Sequence, residues 1–340
     1  MTQQCSDIIN MAKAIGIILM VVGHSGCPAW LHDFIYVFHM PLFFFLSGYC
    51  MKELYLDQKW LFVKKRMRRV WWTFVKWNIV FFALNPLFFR IGITDEYYPV
   101  KELPIVFGKV LLMGTWHELL GPFWFLRYLL LSSFVVLLAC WMLRQHRRLC
   151  TALFLMMPVI PTILSLTGVS DSLKGQGLLC CFFYYCGFML RGVSPAFQPA
   201  RYALTVIVTI VAAIFVKTEI PQMQPTLALP YAVGALAGIY ATMASCAWLY
   251  GHCKAVIGPL VTTGRETMHI MVWHLLAFKL VSLAFILMWQ LPMNNLYGIT
   301  IGGQWMNWWT WMPYAAVGLS VPLALKKSLL RLREYTHNCQ

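Results

Sequence analysis

The sequence predicts an all-α integral membrane protein, a bundle of about ten transmembrane helices with both termini in the cytoplasm. Three observations carry that prediction. Of 340 residues, 60% are hydrophobic and only 11% charged, with a mean hydropathy of +0.67. So few charges cannot cover the surface of a water-soluble domain of this size. Apolar runs of 17 to 24 residues recur along the chain, each long enough to cross the hydrocarbon of a bilayer. The basic residues between those runs alternate from loop to loop, with 18 in the even-numbered loops and the tail against five in the others. The positive-inside rule then puts both ends in the cytoplasm, and the net charge of +15 reports topology rather than nucleic-acid binding.

The first span, 8–25, opens after Asp7 and carries Lys13 and His24. Eleven residues on a helix return to within roughly 20° of the same face over a rise of ~16 Å. Lys13, Ile17, Met20 and His24 therefore form one stripe, and a charge at mid-bilayer depth costs roughly 3 kcal/mol unless it has a partner or a use. No basic region precedes this run and no small-x-small site follows it, so it is expected to stay as a helix and not be removed as a leader. The second span, 34–52, holds His39 in its outer half, then Phe43-Phe44-Phe45-Leu46-Ser47-Gly48. Ser47 and Gly48 are small residues of the kind that let helices approach closely in lipid.

The third span, 70–91, contains Asn85-Pro86, which predicts a kink or an early end. Lys76 lies near its cytoplasmic end and snorkels. The connector 91–121 is charged at Asp95, Glu96, Lys101 and Glu102. It ends in an apolar piece, 103–113, too short to span and expected at the surface or re-entrant. The fourth span, 122–143, follows Trp116-His117-Glu118 and opens Pro122-Phe123-Trp124-Phe125-Leu126-Arg127. Pro122 suits a first helical turn, and Trp116 and Trp124 suit the interfacial aromatic belt. Arg127, about two turns below the outer boundary, keeps its proton and needs an acceptor.

Spans at 149–168, 175–192, 202–218 and 229–250 follow. The ninth, 267–290, carries His269 and His274, about 140° apart, which is too far round the helix to share one metal ion. Lys279 near its middle is expected to pair inside the bundle. The tenth is 306–327. Lys174 and Lys217 belong to the sparse set of outer-loop cations, and Arg333 to the basic tail. Eleven cysteines include no C-x-x-C pair and read as small buried hydrophobes, with no metal or haem implied. The chain reads as a single membrane domain over 1–340.

The interior is thus rich in cations and imidazoles and poor in acids. Paired carboxylates for glycoside hydrolysis are absent, as are a G-x-S-x-G elbow, a phosphate-binding Walker loop and an H-E-x-x-H zinc motif. What remains is a histidine able to take a proton from a hydroxyl near neutral pH, beside cations suited to phosphate or a developing oxyanion.

The residues resemble the acyltransferase-3 family of multi-spanning membrane O-acyltransferases, in particular short members related to sugar O-acetylases. Members open with an acidic residue, then a basic one ahead of a His on the first helix, similar to Asp7, Lys13 and Gly23-His24 here. The FHMPLFFFxSG stretch of many members is matched by Phe38 to Gly48. A W-F-L motif is matched by Trp124-Phe125-Leu126, and a later G-[KR]-x-[ST]-[LM] stretch leading to a His by Gly264, Arg265, Thr267, Met268 and His274. The family's basic residue is most often Arg. Lys13 keeps the charge and gives up the bidentate fork.

The resemblance implies transfer of an acyl group, usually acetyl, from cytoplasmic acyl-coenzyme A to a hydroxyl of a cell-envelope carbohydrate or its lipid-linked precursor. Acetyl-coenzyme A is then the donor substrate, no cofactor is held permanently, and the setting is the bilayer of a bacterial-type inner membrane. His24 is the expected general base or acyl carrier, with Lys13 at the donor end. Asp7, His39, Ser47, Trp124, Arg127 and His274 are the expected substrate-binding residues. The alternative is a proton-coupled transporter that uses Lys13, His24 and His274 as a relay, although neither internal repeats nor paired broken helices stand out in the sequence.

Overall fold

The computed structural model describes residues 2–114, 117–167, 175–193, 196–302 and 305–338, with side chains as far as Arg331 in the last helix. Trp116, Lys174 and the side chain of Arg333 fall outside that description. All regular structure among the described residues is helical. Helices α1 (Gln3–His24) and α2 (Ala29–Tyr49) form a hairpin. Its turn closes where Gly26 takes φ +78°, a left-handed conformation that glycine adopts without strain. Helix α3 (Lys59–Arg66) runs through a π-helical turn, Met67–Trp71, into α4 (Trp72–Arg90). After the connector helix α5 (Leu103–Leu111) come α6 (Trp124–Met142), α7 (Arg147–Met156), α8 (Val159–Leu166) and α9 (Gln176–Met189). The chain closes with α10 (Pro199–Phe215), α11 (Ala228–His252), α12 (Lys254–Arg265), α13 (Thr267–Trp289) and α14 (Trp311–Asn338).

Among the described residues, five helices are long and apolar enough to cross a membrane: α1, α2, α6 with its lead-in turn, α11 and α13. The α7–α8 pair, bent by 52°, makes a sixth if taken as one broken span. Helices α9 and α10 are apolar but shorter. The protein is thus an all-helical membrane protein, with fewer spans meeting both length and composition than the ten drawn from the sequence.

Local differences have physical causes. The cation-rich segment 52–69, read as a loop, is half helical, because Lys and Arg are good helix formers once Phe62 is buried. Segment 251–266, also read as a loop, forms α12, with Pro259 inside it. That helix persists because it lies along α1, where Gly264 sits so close that a Cβ would overlap the Asn10 carbonyl. Pro86 does not end α4, which continues to Arg90. The buried Asn85 side chain instead ties down the connector, donating to the Glu96 carbonyl (3.0 Å) and accepting from the Tyr98 amide (2.9 Å).

Helix α1 is the hub, packed by α2, α11, α12, α13 and α14. Its buried face includes Ile8, Met11, Ala12, Ile17 and Val21. The α2–α9 crossing is equally close. A Cβ at Gly48 would overlap the Tyr184 carbonyl, and one at Gly187 the Phe45 carbonyl. Small residues facing each other in this way let backbones meet where lipid offers no hydrophobic drive for association.

Candidate active site

The α1 stripe opens into two cavities. One, about 370 Å³, is walled by Ile17, Met20 and His24 of α1, by Tyr36, His39 and Phe43 of α2, and by Trp124 and Phe125 of α6. The other, about 490 Å³, is walled by Asn10 and Lys13 of α1, Ser47 of α2, and Arg66 at the end of α3. Phe43, Phe125, Thr267 and Met268 line both, so the chambers share a waist, with the Phe43 and Phe125 rings edge to face at 5.8 Å. Both volumes lie in the range of small-molecule sites, ~300–1,000 Å³.

In this first chamber His24 is half-buried, its Nδ1 3.0 Å from Met20 Sδ. Its ring lies 5.3 Å from that of His274 and edge-on to Tyr36 at 6.4 Å. The buried His39 donates from Nδ1 to the Ile35 carbonyl (2.8 Å), which leaves Nε2 as its free nitrogen. His274 stands behind His24. Its Nδ1 faces the Ile270 and Met271 carbonyls at 3.2 and 3.0 Å, and its buried Nε2 has no hydrogen-bond partner among the described residues.

The second chamber is cationic. Lys13, Lys65, Arg66, Arg69 and Arg265 line it, and no carboxylate does. Arg66 donates to the Ser47 hydroxyl (3.0 Å) and to the Tyr184 hydroxyl, so two helices hold its guanidinium in place. A cluster of cations without a protein counter-ion is suited to an anionic ligand such as a phosphorylated one.

The structure therefore brings Lys13, His24, His39, Ser47 and Trp124 to the two chambers, with His274 against His24. Two expected residues stand apart. Arg127 is exposed on α6, with its guanidinium over the Tyr128 ring at 5.8 Å, and it lines neither chamber. Asp7 accepts from Gln3 Nε2 (2.9 Å) on the first turns of α1 and also lines neither. Lys279 finds its partners in three backbone carbonyls, Leu296, Tyr297 and Gly298, at 2.7–3.0 Å. Lys76 is exposed on α4 beside the Trp77 ring, as a snorkelling lysine should be.

A profile described as an acyltransferase domain matches residues 7–327, nearly the whole chain. The chain belongs to the acyltransferase-3 family. No curated protein and no solved structure matches it. Family membership and the helical architecture together make it a membrane acyltransferase.

Sequence reasoning missed several residues of this acyltransferase. The sequence marked Arg66 and Arg69 only as part of a basic face suited to an anionic coenzyme and Arg265 as part of a family motif, and did not show that all three converge on Lys13. Their helical spacing was hidden because the segments looked like loops. Tyr36 and Glu219 line the histidine chamber without any motif to mark them. Glu219 arrives on the turn between α10 and α11, which is shaped by Lys217 at φ +39° and by a hydrogen bond from the Thr218 hydroxyl to the Gln222 carbonyl. Burial pushes the Glu219 carboxyl above its ordinary value, while nearby His32 partly holds it down.

Proposed function

We propose that the protein moves a short acyl group, acetyl in the simplest case, from acyl-coenzyme A to a hydroxyl of a cell-envelope carbohydrate or its lipid-linked precursor. The basic chamber receives the coenzyme's phosphates from the cytoplasm, with Lys13 and Arg66 nearest the thioester end. The acceptor enters the histidine chamber from the outer side. His24 takes the hydroxyl proton, the oxygen attacks the thioester carbonyl, and collapse of the tetrahedral adduct expels the coenzyme thiolate, which regains the proton from the imidazolium. In the variant with His24 as acyl carrier, the imidazole itself first accepts the acyl group and then yields it to the hydroxyl.

One observation carries the reading: a cationic chamber and an imidazole chamber, both lined by the same stripe of α1, share four wall residues from α2, α6 and α13. A thioester reaching the waist from one side and a hydroxyl from the other would meet beside His24. In this reading the setting is the cytoplasmic membrane of a bacterial-type cell, with ten spans and the basic end inside.

The test is to incubate membranes with radiolabelled acetyl-coenzyme A and follow label into envelope glycan. Replacing a general base costs roughly 10²–10⁴-fold in turnover, so His24→Ala should abolish labelling while the protein still inserts. Full activity in that variant defeats the proposal. Solute uptake into sealed vesicles with no label transferred would favour the proton-coupled transporter instead.

A further inference from the structure

The histidine chamber has a polar wall that the proton-transfer chemistry leaves idle. Glu219 is the single carboxylate among its lining residues. Neither its oxygens nor the Tyr36 hydroxyl is engaged in a hydrogen bond with another described residue. Both groups are half-buried, in a chamber whose other walls include the imidazoles of His24 and His39 and the apolar side chains of Ile17, Met40, Phe43, Phe125 and Met271. The turn that presents Glu219 is fixed. The Gln222 amide donates to the Glu219 carbonyl (3.1 Å), and the next side chain, Ile220, is 1% exposed and acts as an anchor. Tyr36 is fixed too: its ring stacks on His32 at 3.8 Å, and its backbone carbonyl accepts from the Tyr231 hydroxyl (3.0 Å).

We propose that Glu219 and Tyr36 form the acceptor-selecting wall of the histidine chamber, admitting a neutral, hydroxyl-bearing acceptor and rejecting one that carries a carboxylate near the reacting hydroxyl. This rests on the acyl-transfer reading and adds residues and a charge preference to it. A carboxylate accepts hydrogen bonds from hydroxyls and offers none in return, whereas a phenol can donate to a ring or ether oxygen. Together they match the alternating donors and acceptors of a polyhydroxylated molecule. An acceptor with its own carboxylate would meet Glu219 across a small, largely apolar cavity, where like charges repel more strongly than in water. That repulsion discriminates by penalising the wrong acceptor, and the hydrogen bonds discriminate by favouring the right one. The cations of the other chamber lie beyond the waist and do not line this one, so they are not placed to neutralise such a carboxylate.

The experiment uses the full chain in lipid nanodiscs with radiolabelled acetyl-coenzyme A and two probes of equal size, p-nitrophenyl β-glucoside and p-nitrophenyl β-glucuronide. The readout is the ratio of kcat/KM for the two probes within one preparation, which is independent of the folded fraction. The wild type should favour the glucoside, and Glu219→Gln should lower that ratio by about tenfold, as expected for losing one charge-assisted contact. Glu219→Lys should reverse the preference. If the wild type acetylates the probes and the ratio is indifferent to residue 219, the selecting wall is overturned while acyl transfer stands. A wild type that acetylates neither probe overturns the selecting wall, and the glycan-labelling assay then reports separately on acyl transfer.

Discussion

Lys13 keeps a charge at the floor of the basic chamber without the fork an arginine would bring, and its ε-ammonium acts there as a point charge among guanidiniums. Removing it should weaken donor binding more than chemistry. A hydrogen bond to a charged group contributes ~1.5–3 kcal/mol, so Lys13→Gln should raise KM for acetyl-coenzyme A by roughly 10- to 100-fold, with Lys13→Arg near wild type. Saturation kinetics on the two variants check this, and an unchanged donor KM in Lys13→Gln would take the lysine out of the donor site. At this scale the sequence was informative where periodicity speaks. The 3.6-residue repeat put Lys13, Ile17, Met20 and His24 on one face, and all four line the chambers. It was silent about Glu219, because a carboxylate on a turn has no repeat to announce it. It misplaced Arg127, because depth along a helix says nothing about which way a side chain faces.

Among the elements, the α2–α9 crossing sets how closely the histidine-bearing hairpin sits against the rest of the bundle. A branched side chain at Gly187 has no room beside the Phe45 carbonyl, and backbone cannot yield as a flexible side chain can. Overpacking of this kind costs typically ~1–3 kcal/mol, so Gly187→Val should lower the melting temperature in detergent and broaden the size-exclusion peak. Gly258→Ala on α12 is the control. Nothing lies within 4 Å of a Cβ there, so the helix should be unchanged or slightly stabilised. A Gly187→Val protein that melts with the wild type would show that the two helices separate freely. The sequence did flag Gly48 as a close-approach residue. Gly187, its counterpart, lies in an aromatic and cysteine-rich run that gives no hint of a crossing. The basic segments 52–69 and 251–266 misled for the opposite reason, since charge and proline read as solvated loop until tertiary packing supplies a face to bury.

For the molecule as a whole, the distribution of cations predicts an orientation before any fold is known, and cations of the 52–69 segment line the basic chamber. Single cysteines in a cysteine-free background test that orientation. A membrane-impermeant maleimide should modify Gln222→Cys in intact cells, and Lys52→Cys only after permeabilisation. The reverse pattern would turn the molecule over and exchange the donor and acceptor sides. Hydropathy counted ten runs, whereas five helices among the described residues satisfy length and composition together. The difference arises where proline breaks a run, as between α7 and α8, or where a helix such as α9 stops short. Lengths of apolar sequence set an upper bound on crossings, and bends and caps decide how many are straight.

The constriction at Phe43 and Phe125 has a consequence for the cell. If acyl transfer runs as proposed, a waist walled by these two rings would work as an airlock, letting a small acyl group reach its acceptor while each carrier stays on its own side. On that proposal the cargo would cross without either carrier crossing, and a cell making large amounts of this enzyme would keep its coenzyme pool and its ion gradients intact.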